Sequence, residues 1–313
     1  MITIKKEILA AEPELSELVL SYLGAYVSIK DQNKKYVYAN RKLKALFIEN
    51  FDTILGCVDS QLFDCSSHTD MVESDDRVLN FGDNFENEEI VIIKSTGEKK
   101  VYWSSKQPIV NTHKKIVGVL CVSTEITDLH VRQKRLEIEA TTDSLTGLFN
   151  RRFFFELADK FFSESSRHHN ALSLIMLDID FFKEINDKYG HPIGDKVIQF
   201  VASKTQSLLR KEDTIARIGG EEYLILLPNT DGKTAKLIAE KIRSFIDSQS
   251  ITGDWTGTIY PKISLGVSTY SDGDFDFNEI YVRCDRALYH AKLTGRNKIC
   301  MFEKHMGSVK YFN

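Results

Sequence analysis

The first 130 residues alternate short apolar runs with polar turns. Apolar and polar positions over residues 25–30 and 35–39 predict two strands joined through Asp31-Gln-Asn33, which is good hairpin-turn chemistry. Short helices are predicted at residues 14–23, 40–50 and 68–81. Three further strands are predicted at residues 88–95, 99–110 and 116–126. The order is therefore two strands, short helices and three strands, which predicts an α+β domain with an antiparallel sheet.

The second half of the chain has a different pattern. Residues 172–179 form an almost continuous apolar run, as expected for a strand buried on both faces. Predicted helices at 194–210, 232–248 and 278–293 alternate with predicted strands at 214–218, 222–227, 263–270 and 298–302. This alternation predicts an α/β arrangement, a mixed sheet flanked by helices.

A polar helix is predicted between the two halves. Five of its positions follow a 3–4 spacing with charged residues between them, which predicts a short coiled-coil seam between two chains. They are Ile126, Leu129, Gln133, Leu136 and Ala140. Packing of this helix on its own domain is the alternative. The predicted organisation is a first domain at 1–127, a connecting helix at 128–142 and a second domain at 143–313.

Composition narrows the classes of function. The 313 residues have a net charge of −4, so no overall basic field favours nucleic-acid binding. The five cysteines are odd in number and fit no zinc spacing, which favours reduced thiols. Neither a signal peptide nor an apolar stretch of membrane-spanning length is predicted. We therefore expect a cytoplasmic protein without a transmembrane segment.

Acidic residues stand at two predicted strand ends. Asp178 and Asp180 close the apolar strand, and Glu221 and Glu222 lie in a hairpin turn after two glycines. Carboxylates from two strands can meet at one sheet edge, where they suit Mg²⁺ bound to substrate phosphates. Gly219 and Gly220 allow positive φ and leave room for a nucleotide near the backbone.

Several separated segments now carry a family resemblance. Arg217-Ile-Gly-Gly-Glu-Glu-Tyr223 resembles the signature of the GGDEF family of diguanylate cyclases, in a GGEEY form. The other similar segments, in chain order, are Asp143-Ser-Leu-Thr-Gly-Leu-Phe-Asn-Arg-Arg152, Leu177-Asp-Ile-Asp-Phe-Phe-Lys-Glu-Ile-Asn-Asp187, Gly190-His-Pro-Ile-Gly-Asp195, Ser264-Leu-Gly-Val267 and Asp285-Arg-Ala-Leu-Tyr-His-Ala-Lys-Leu-Thr-Gly-Arg-Asn297. The resemblance covers residues 141–303.

This resemblance implies a catalytic centre. Asp178, the carbonyl of Ile179 and Glu221 would bind Mg²⁺, with Mn²⁺ as an alternative. Glu221 is the first candidate for the base that activates the 3′-hydroxyl, and Glu222 is the second. Tyr223 replaces the usual Phe, and its hydroxyl needs a partner if it is buried.

The resemblance also implies a nucleotide-binding surface. Asn186 and Asp195 would read guanine, because a carboxylate accepts hydrogen bonds from the guanine edge and leaves adenine unmatched; a helix N-cap is the alternative role for Asp195. His191 lies nearby. The phosphate-binding set implied is Phe181, Phe182 and Lys183, through backbone amides and charge, together with Lys292 and Arg296. The last two are four residues apart, which is one helical turn if the helix persists to Gly295. For the two phenylalanine rings, core packing is favoured over base stacking.

Arg210 and Asp213 form an RxxD motif before the signature hairpin, and they resemble an inhibitory site for the product. The first domain resembles a PAS sensor, on Tyr38-Ala-Asn40, Asp76-Arg-Val-Leu-Asn-Phe-Gly82 and residues 118–128. Its ligand is unknown. Its aromatic residues, which include Tyr26, Tyr36, Phe63 and Trp103, are expected to form the core rather than a pocket.

The implied function is a homodimeric enzyme that condenses two GTP into cyclic di-GMP, which in turn inhibits it. The alternative is a catalytically silent receptor for cyclic di-GMP that signals through Arg210 and Asp213. The presence of Asp178, Glu221 and Glu222 favours the enzyme. A cyclase that makes cyclic AMP is disfavoured by Asn186 and Asp195.

Overall fold

The computed structural model describes residues 24–47, 53–253, 255–303 and 308–312. The chain divides into two compact units, residues 1–135 and 136–313. The helix predicted at residues 14–23 lies outside the described residues. Each unit is described by itself.

The first unit is built on a five-stranded antiparallel sheet of strand order β2-β1-β5-β4-β3. Its strands are β1 (Tyr26–Asp31), β2 (Tyr36–Ala39), β3 (Phe85–Ile92), β4 (Lys99–Val110) and β5 (Ile116–Glu125). Its helices are α1 (Arg41–Ala45), α2 (Asp59–Leu62) and α3 (Cys65–Phe81). The Asn40 side chain accepts a hydrogen bond from Leu43 N and so begins α1.

Helix α4 (Thr127–Thr141) follows β5 and contains the boundary between the two units. None of its described residues is buried, and Leu129 and Leu136 are 63% and 65% exposed. The helix predicted at 128–142 is therefore present, and its apolar side chains do not pack on the chain's own core.

The second unit has a mixed seven-stranded sheet of order β12-β11-β10-β7-β9-β8-β6. Its strands are β6 (Phe149–Asn150), β7 (Leu172–Ile179), β8 (Thr214–Gly219), β9 (Glu222–Pro228), β10 (Ile263–Thr269), β11 (Ile299–Glu303) and β12 (Ser308–Phe312). Its helices are α5 (Arg151–His168), α6 (Phe182–Tyr189), α7 (His191–Gln206), α8 (Gly232–Asp247) and α9 (Phe277–Leu293).

Strand β7 lies in the middle of this sheet and all eight of its residues are buried. Its alternate side chains enter two separate hydrophobic clusters, Ile175 and Leu177 in one and Leu174 and Met176 in the other. Successive strand residues point to opposite faces of a sheet, so the two clusters lie on its two sides. Helices α7 and α8 contribute to one cluster, and α5 and α9 contribute to the other. The prediction of a strand buried on both faces is confirmed.

Some predicted boundaries were wrong. The helix predicted at 194–210 begins at His191 and follows a separate short helix, α6; Gly190, with φ 83°, separates the two. Helix α5, which Asn150 caps by accepting from Phe153 N, was missed, as were α2, β6 and β12. These elements are short or begin inside a segment that had been interpreted as a family motif.

Candidate active site

Three carboxylates meet where β7 ends. In the antiparallel pairing of β7 with β9, Asp178 lies opposite Glu222, and Ile179 N donates to the Glu221 carbonyl oxygen at 3.3 Å. Glu221 follows the turn residues Gly219 and Gly220. Gly220 has φ 51°, and a Cβ on either glycine would meet no atom within 4 Å. The two acidic clusters therefore converge, beside a turn that is open above its backbone.

The charge of this cluster is only partly compensated. Asp178 is 5% exposed, and burial raises the pKa of its carboxyl to about 6. Hydrogen bonding and attraction from Lys292, whose Nζ lies 2.6 Å from Asp178 Oδ2, oppose this rise, while Glu221 and Glu222 add to it. Because folding raises the pKa of this carboxyl, the ionised form of Asp178 lowers the free energy of unfolding.

This donor set fits a hard divalent cation. Carboxylate and carbonyl oxygens are the ligands that Mg²⁺ prefers, and an excess of negative charge favours its binding. Among the residues that the structure describes, no three acidic, His or Cys side chains are close enough to enclose an ion on their own. Mg²⁺ commonly keeps water and substrate phosphate as ligands, so a partial protein shell agrees with that chemistry.

Arg217 holds the signature turn in position. Its Nε donates to the Gly220 carbonyl oxygen at 2.8 Å, and its guanidinium forms an ion pair with Asp143 at 3.1 Å. Sequence analysis quoted both residues within motifs and gave neither a role. The signal that could have found them is an Arg and an Asp at the edges of two apolar segments.

The loop after β7 differs from its prediction. Phe182 is buried, as expected for core packing, but Phe181 is 50% exposed and adopts φ 57°. The guanidinium of Arg296 lies over the Phe181 ring, 4.5 Å from its centroid. The interpretation of Phe181 as a core residue was wrong, because its left-handed backbone turns the ring outward before α6 begins. Lys183 is exposed in the first turn of that helix.

Arg296 is not on the same helix as Lys292. Helix α9 ends at Leu293, and Arg296 and Asn297 both have positive φ, 59° and 44°. The helix therefore does not persist to Gly295, and these two cations do not lie one helical turn apart.

Asp180 holds the loop that follows α9 and carries Arg296. Its carboxylate accepts from Asn297 N at 2.8 Å and from Ser264 Oγ at 2.7 Å, and it is buried. Asp180 thus acts on the position of Arg296 rather than belonging to the carboxylate cluster. Sequence analysis missed this role, since a strand-end acid gives no indication of which loop will return to it.

The two proposed guanine readers lie on neighbouring helices. Asn186 is on α6, and its Oδ1 is buried without a hydrogen-bond partner among the described residues. A Cβ at Gly194, on α7, would lie 1.9 Å from that oxygen, so glycine is required for the two helices to approach. An unpartnered buried acceptor here suits a ligand that offers N–H donors.

Asp195 and His191 are both exposed residues of α7. The N-cap of this helix is Gly190, which makes no side-chain capping bond, and Asp195 lies beyond the first turn. The alternative role of Asp195 as an N-cap is therefore wrong.

The Tyr223 hydroxyl is buried and has a hydrogen-bond partner, because it donates to the Ile198 carbonyl oxygen at 2.9 Å in the core.

Arg210 and Asp213 line a separate cavity of about 380 Å³ between the end of α7 and β8. Asp213 Oδ2 accepts from Arg210 N at 2.9 Å, whereas its Oδ1 is buried without a hydrogen-bond partner in the described structure. Burial raises the pKa of Asp213. An exposed guanidinium beside a half-satisfied carboxylate suits a ligand with both acceptor and donor groups.

The first unit contains a small cavity of about 40 Å³, room for about three water-sized groups. Tyr26, Tyr36 and Phe63 are buried in the core of this unit, as predicted, and also line the cavity. Trp103 is 47% exposed and belongs to neither, so the prediction was wrong for that residue.

A buried ion-pair cluster forms the polar wall of this cavity. Lys30 contacts Asp59 at 2.5 Å and Asp75 at 2.7 Å, and Lys106 contacts Asp75 at 3.0 Å and Glu89 at 2.7 Å. Burial alone would raise the pKa of Asp75, but the two ammonium groups outweigh burial and lower it. The cluster consists of Lys30, Lys106, Asp59, Asp75 and Glu89, and is called the sensor charge cluster below.

Comparison with known proteins agrees with this geometry. Residues 140–298 match the diguanylate cyclase GGDEF domain family, and residues 20–131 match the PAS fold. A diguanylate cyclase from Vibrio cholerae serotype O1 is 38% identical over 291 residues, which are 93% of this chain and 90% of that protein. The chain belongs to the GGDEF family of diguanylate cyclases. The predicted enzyme class and fold class, and the resemblance of the first half to a PAS fold, are thereby confirmed.

Other members match the cyclase half. Diguanylate cyclase A from Treponema denticola is 40% identical over 169 residues, which are 53% of this chain and 45% of that protein. A crystal structure of the coiled coil and GGDEF domain of DgcB from Caulobacter crescentus, in complex with cyclic di-GMP, is 30% identical with a TM-score of 0.54. It covers 56% of this chain and 93% of that chain. In the described part of the chain, no helix is both long and apolar enough to cross a membrane.

Proposed function

We propose that this cyclase condenses two GTP molecules into cyclic di-GMP and releases two pyrophosphates. The observation that carries the proposal is the convergence of Asp178, Glu221 and Glu222 at one sheet edge, beside two glycines and two cations. Each cyclase domain holds one GTP. The 3′-oxygen of each nucleotide attacks the α-phosphorus of the other, and the bond from that phosphorus to pyrophosphate breaks.

Asp178, the Ile179 carbonyl and Glu221 would hold Mg²⁺, or Mn²⁺ in its place. A bound divalent ion supplies charge stabilisation to the phosphates and favours the ionised 3′-oxygen. Glu221 is the first candidate to accept the proton of the 3′-hydroxyl, and Glu222 the second. Lys292, Arg296, Lys183 and the amides that open α6 balance the triphosphate charge.

Guanine recognition rests on the helix pair α6–α7. The unpartnered Asn186 Oδ1 accepts one N–H of guanine, and Asp195 accepts from another, with His191 at the rim. Adenine offers no matching pair of donors, and a buried acceptor left without a donor costs about 1–3 kcal/mol. We therefore propose GTP rather than ATP as the substrate. GTP is a cytoplasmic nucleotide, so we place the protein in the cytoplasm.

Catalysis requires two chains, since one domain holds half of the reacting groups. The exposed Leu129 and Leu136 of α4 support a homodimer seam. The seam we propose runs through Ile126, Leu129, Gln133, Leu136 and Ala140. We propose a sensor domain at 1–127, a connecting helix at 128–142 and a cyclase domain at 143–313. A ligand in the sensor cavity would act through the connecting helix. A truncated chain starting at residue 140 with the full chain's specific activity and dimerisation would exclude this regulation.

Arg210 and Asp213 form the site at which cyclic di-GMP inhibits the enzyme. The half-satisfied Asp213 carboxylate accepts from the guanine edge and the Arg210 guanidinium stacks on the base or binds phosphate. Arg210→Ala is expected to abolish inhibition by added cyclic di-GMP while initial rates stay unchanged. Product inhibition that persists in this variant would place the inhibitory site elsewhere.

The proposed reaction is tested on purified full-length protein from which bound nucleotide has been stripped. The protein is incubated with GTP and Mg²⁺, and the products are resolved by chromatography and mass spectrometry beside Glu221→Ala. We expect cyclic di-GMP and pyrophosphate from the wild type alone. Product from Glu221→Ala at the wild-type rate would refute the assignment of the site.

A further inference from the structure

Lys292 contacts the residue proposed as the metal ligand. Its Nζ lies 2.6 Å from Asp178 Oδ2, and this is the ion pair that the described structure records for Asp178. The Lys292 side chain is 32% exposed and that of Asp178 is 7% exposed, so the pair is on the boundary of the core and the open cleft. The same ammonium is one of the cations proposed to bind the triphosphate.

A metal ion and this ammonium compete for the same carboxylate. Two cations within a few ångströms of each other repel, and in a partly buried site water screens that repulsion weakly. The three carboxylates and one ammonium leave a net charge of −2 in the cluster; without Lys292 it would be −3. The presence of Lys292 therefore weakens the attraction of the site for a cation.

A bound triphosphate would offer the Lys292 ammonium an alternative partner. Lys292 lies in the last turn of α9 on a flexible four-carbon stem, and a triphosphate provides a stronger concentration of negative charge than one carboxylate. When the ammonium moves to phosphate, the Asp178 oxygen becomes available to the metal. Arg296 is similarly placed on the Phe181 ring, from which phosphate can draw it.

We propose that Lys292 keeps the metal site weak until a triphosphate draws the ammonium away from Asp178. Metal and triphosphate then bind cooperatively, because each makes the other's site available, and such coupling is reciprocal. This inference rests on the proposed function, in which Asp178 is a metal ligand and Lys292 binds phosphate. It adds the order in which metal and nucleotide bind. The metal alone binds weakly, and free divalent ions do not occupy the site ahead of nucleotide.

The test is a titration of full-length protein with Mn²⁺, in which the electron paramagnetic resonance signal reports the free ion. It is done at about pH 7.5, above the pKa of the Asp178 carboxyl. Lys292→Met is expected to bind Mn²⁺ alone about tenfold more tightly than wild type, since the competing charge is gone. Lys292→Arg, which keeps the charge, is expected to remain within about threefold of wild type.

A second titration includes a GTP analogue with a methylene group between the α- and β-phosphorus atoms, corrected for the Mn²⁺ that the analogue binds in free solution. The analogue is expected to raise Mn²⁺ affinity at least about tenfold in wild type and much less in Lys292→Met. Arg286→Met is the matched control, because it removes an exposed cation of the same helix that has no recorded contact with Asp178.

Two results separate this inference from the proposed function. If Asp178→Asn loses Mn²⁺ binding while Lys292→Met binds no more tightly than wild type, the metal site stands and the competition is refuted. If Asp178→Asn binds Mn²⁺ as wild type does, the metal assignment itself is wrong. Undetectable binding of Mn²⁺ alone by Lys292→Met also counts against the competition.

Discussion

The two halves of the chain each place lysines and carboxylates together, with opposite consequences. In the sensor charge cluster, two ammonium groups lie among three carboxylates, every carboxylate has a contact, and the pKa of Asp75 is lowered. In the cyclase, the described residues give the three carboxylates one ion pair, from Lys292 to Asp178, and the pKa of Asp178 is raised to about 6. Similar residue types thus build a stabilising cluster in one place and a site that needs a cation in the other.

The difference lies in compensation rather than in burial, since Asp75 and Asp178 are both buried. A buried carboxylate with two ammonium partners stabilises the fold in its ionised form. A buried carboxylate among other carboxylates is better protonated, or neutralised by a ligand. Substitutions in the two clusters should therefore affect stability and activity in opposite proportions.

The largest effect is expected on activity, for Asp178→Asn. Loss of the proposed metal ligand should lower the rate of cyclic di-GMP formation by about three orders of magnitude. The unfolding free energy of the cyclase domain should stay equal or increase, because a destabilised charge is removed. Activity assays and urea denaturation check both results, with Asp159→Asn, an exposed aspartate of α5, as control. A large loss of stability would contradict the comparison.

Lys106→Met should do the reverse. It leaves Asp75 and Glu89 short of their partner in the core and should destabilise the sensor unit by about 3–5 kcal/mol. The chain has two tryptophans, so Trp255→Phe leaves Trp103 as the fluorescence reporter of this unit. Lys99→Met, exposed on the same strand, is the control. The double variant Lys106→Met/Glu89→Leu should recover part of the loss; no recovery would argue against charge pairing as the cause.

The pH dependence of stability gives a smaller effect with a defined sign. Folding raises the pKa of Asp178 to about 6, so the folded state binds this proton more tightly than the unfolded state does. The resulting stabilisation is complete below the pKa of the unfolded state and is lost as pH rises through about 6. Between about pH 4 and pH 6 the cyclase domain should therefore lose roughly 1–3 kcal/mol relative to Asp178→Asn. Denaturation followed by Trp255 in a Trp103→Phe background measures this difference. The opposite slope would mean that Lys292 dominates the environment of Asp178.

The smallest effect is expected for Tyr223→Phe, which restores the more usual residue of the signature. The variant loses the buried hydrogen bond to Ile198 O and should unfold about 1 kcal/mol more easily, which is the usual contribution of one such bond. Its cyclase activity should stay within about twofold of wild type, because the hydroxyl faces the core. Tyr260→Phe, an exposed residue, is the control. A large loss of activity would give the hydroxyl a part in the reaction.

Much of the fold was predictable because the strands have clear patterns. The bounds of β4 and β7 were predicted to the residue, since long apolar or alternating runs end at distinct turns. The bounds of α6 were not predicted and α7 was predicted to begin at 194 rather than at His191, because the boundary between them depends on one backbone angle at Gly190. The convergence of Asp178 with Glu221 followed from strand order. The positions of Phe181 and Arg296 could not be predicted, because each of these residues has a left-handed backbone conformation that its residue type does not indicate.

The loop that carries Arg296 illustrates how function can retain an unfavourable backbone. Two successive non-glycine residues with positive φ cost of order 1–3 kcal/mol each, and the Asp180 carboxylate holds them in place. A programme that selects only for heat resistance would favour glycine at both positions. At Asn297 that exchange would keep the backbone N–H contact with Asp180 but would lose the side-chain oxygen that accepts from Arg243 Nη1 at 3.1 Å. At Arg296 it would gain stability but remove the cation that we propose binds the triphosphate, so selection for stability and selection for the proposed activity would favour different residues at this position.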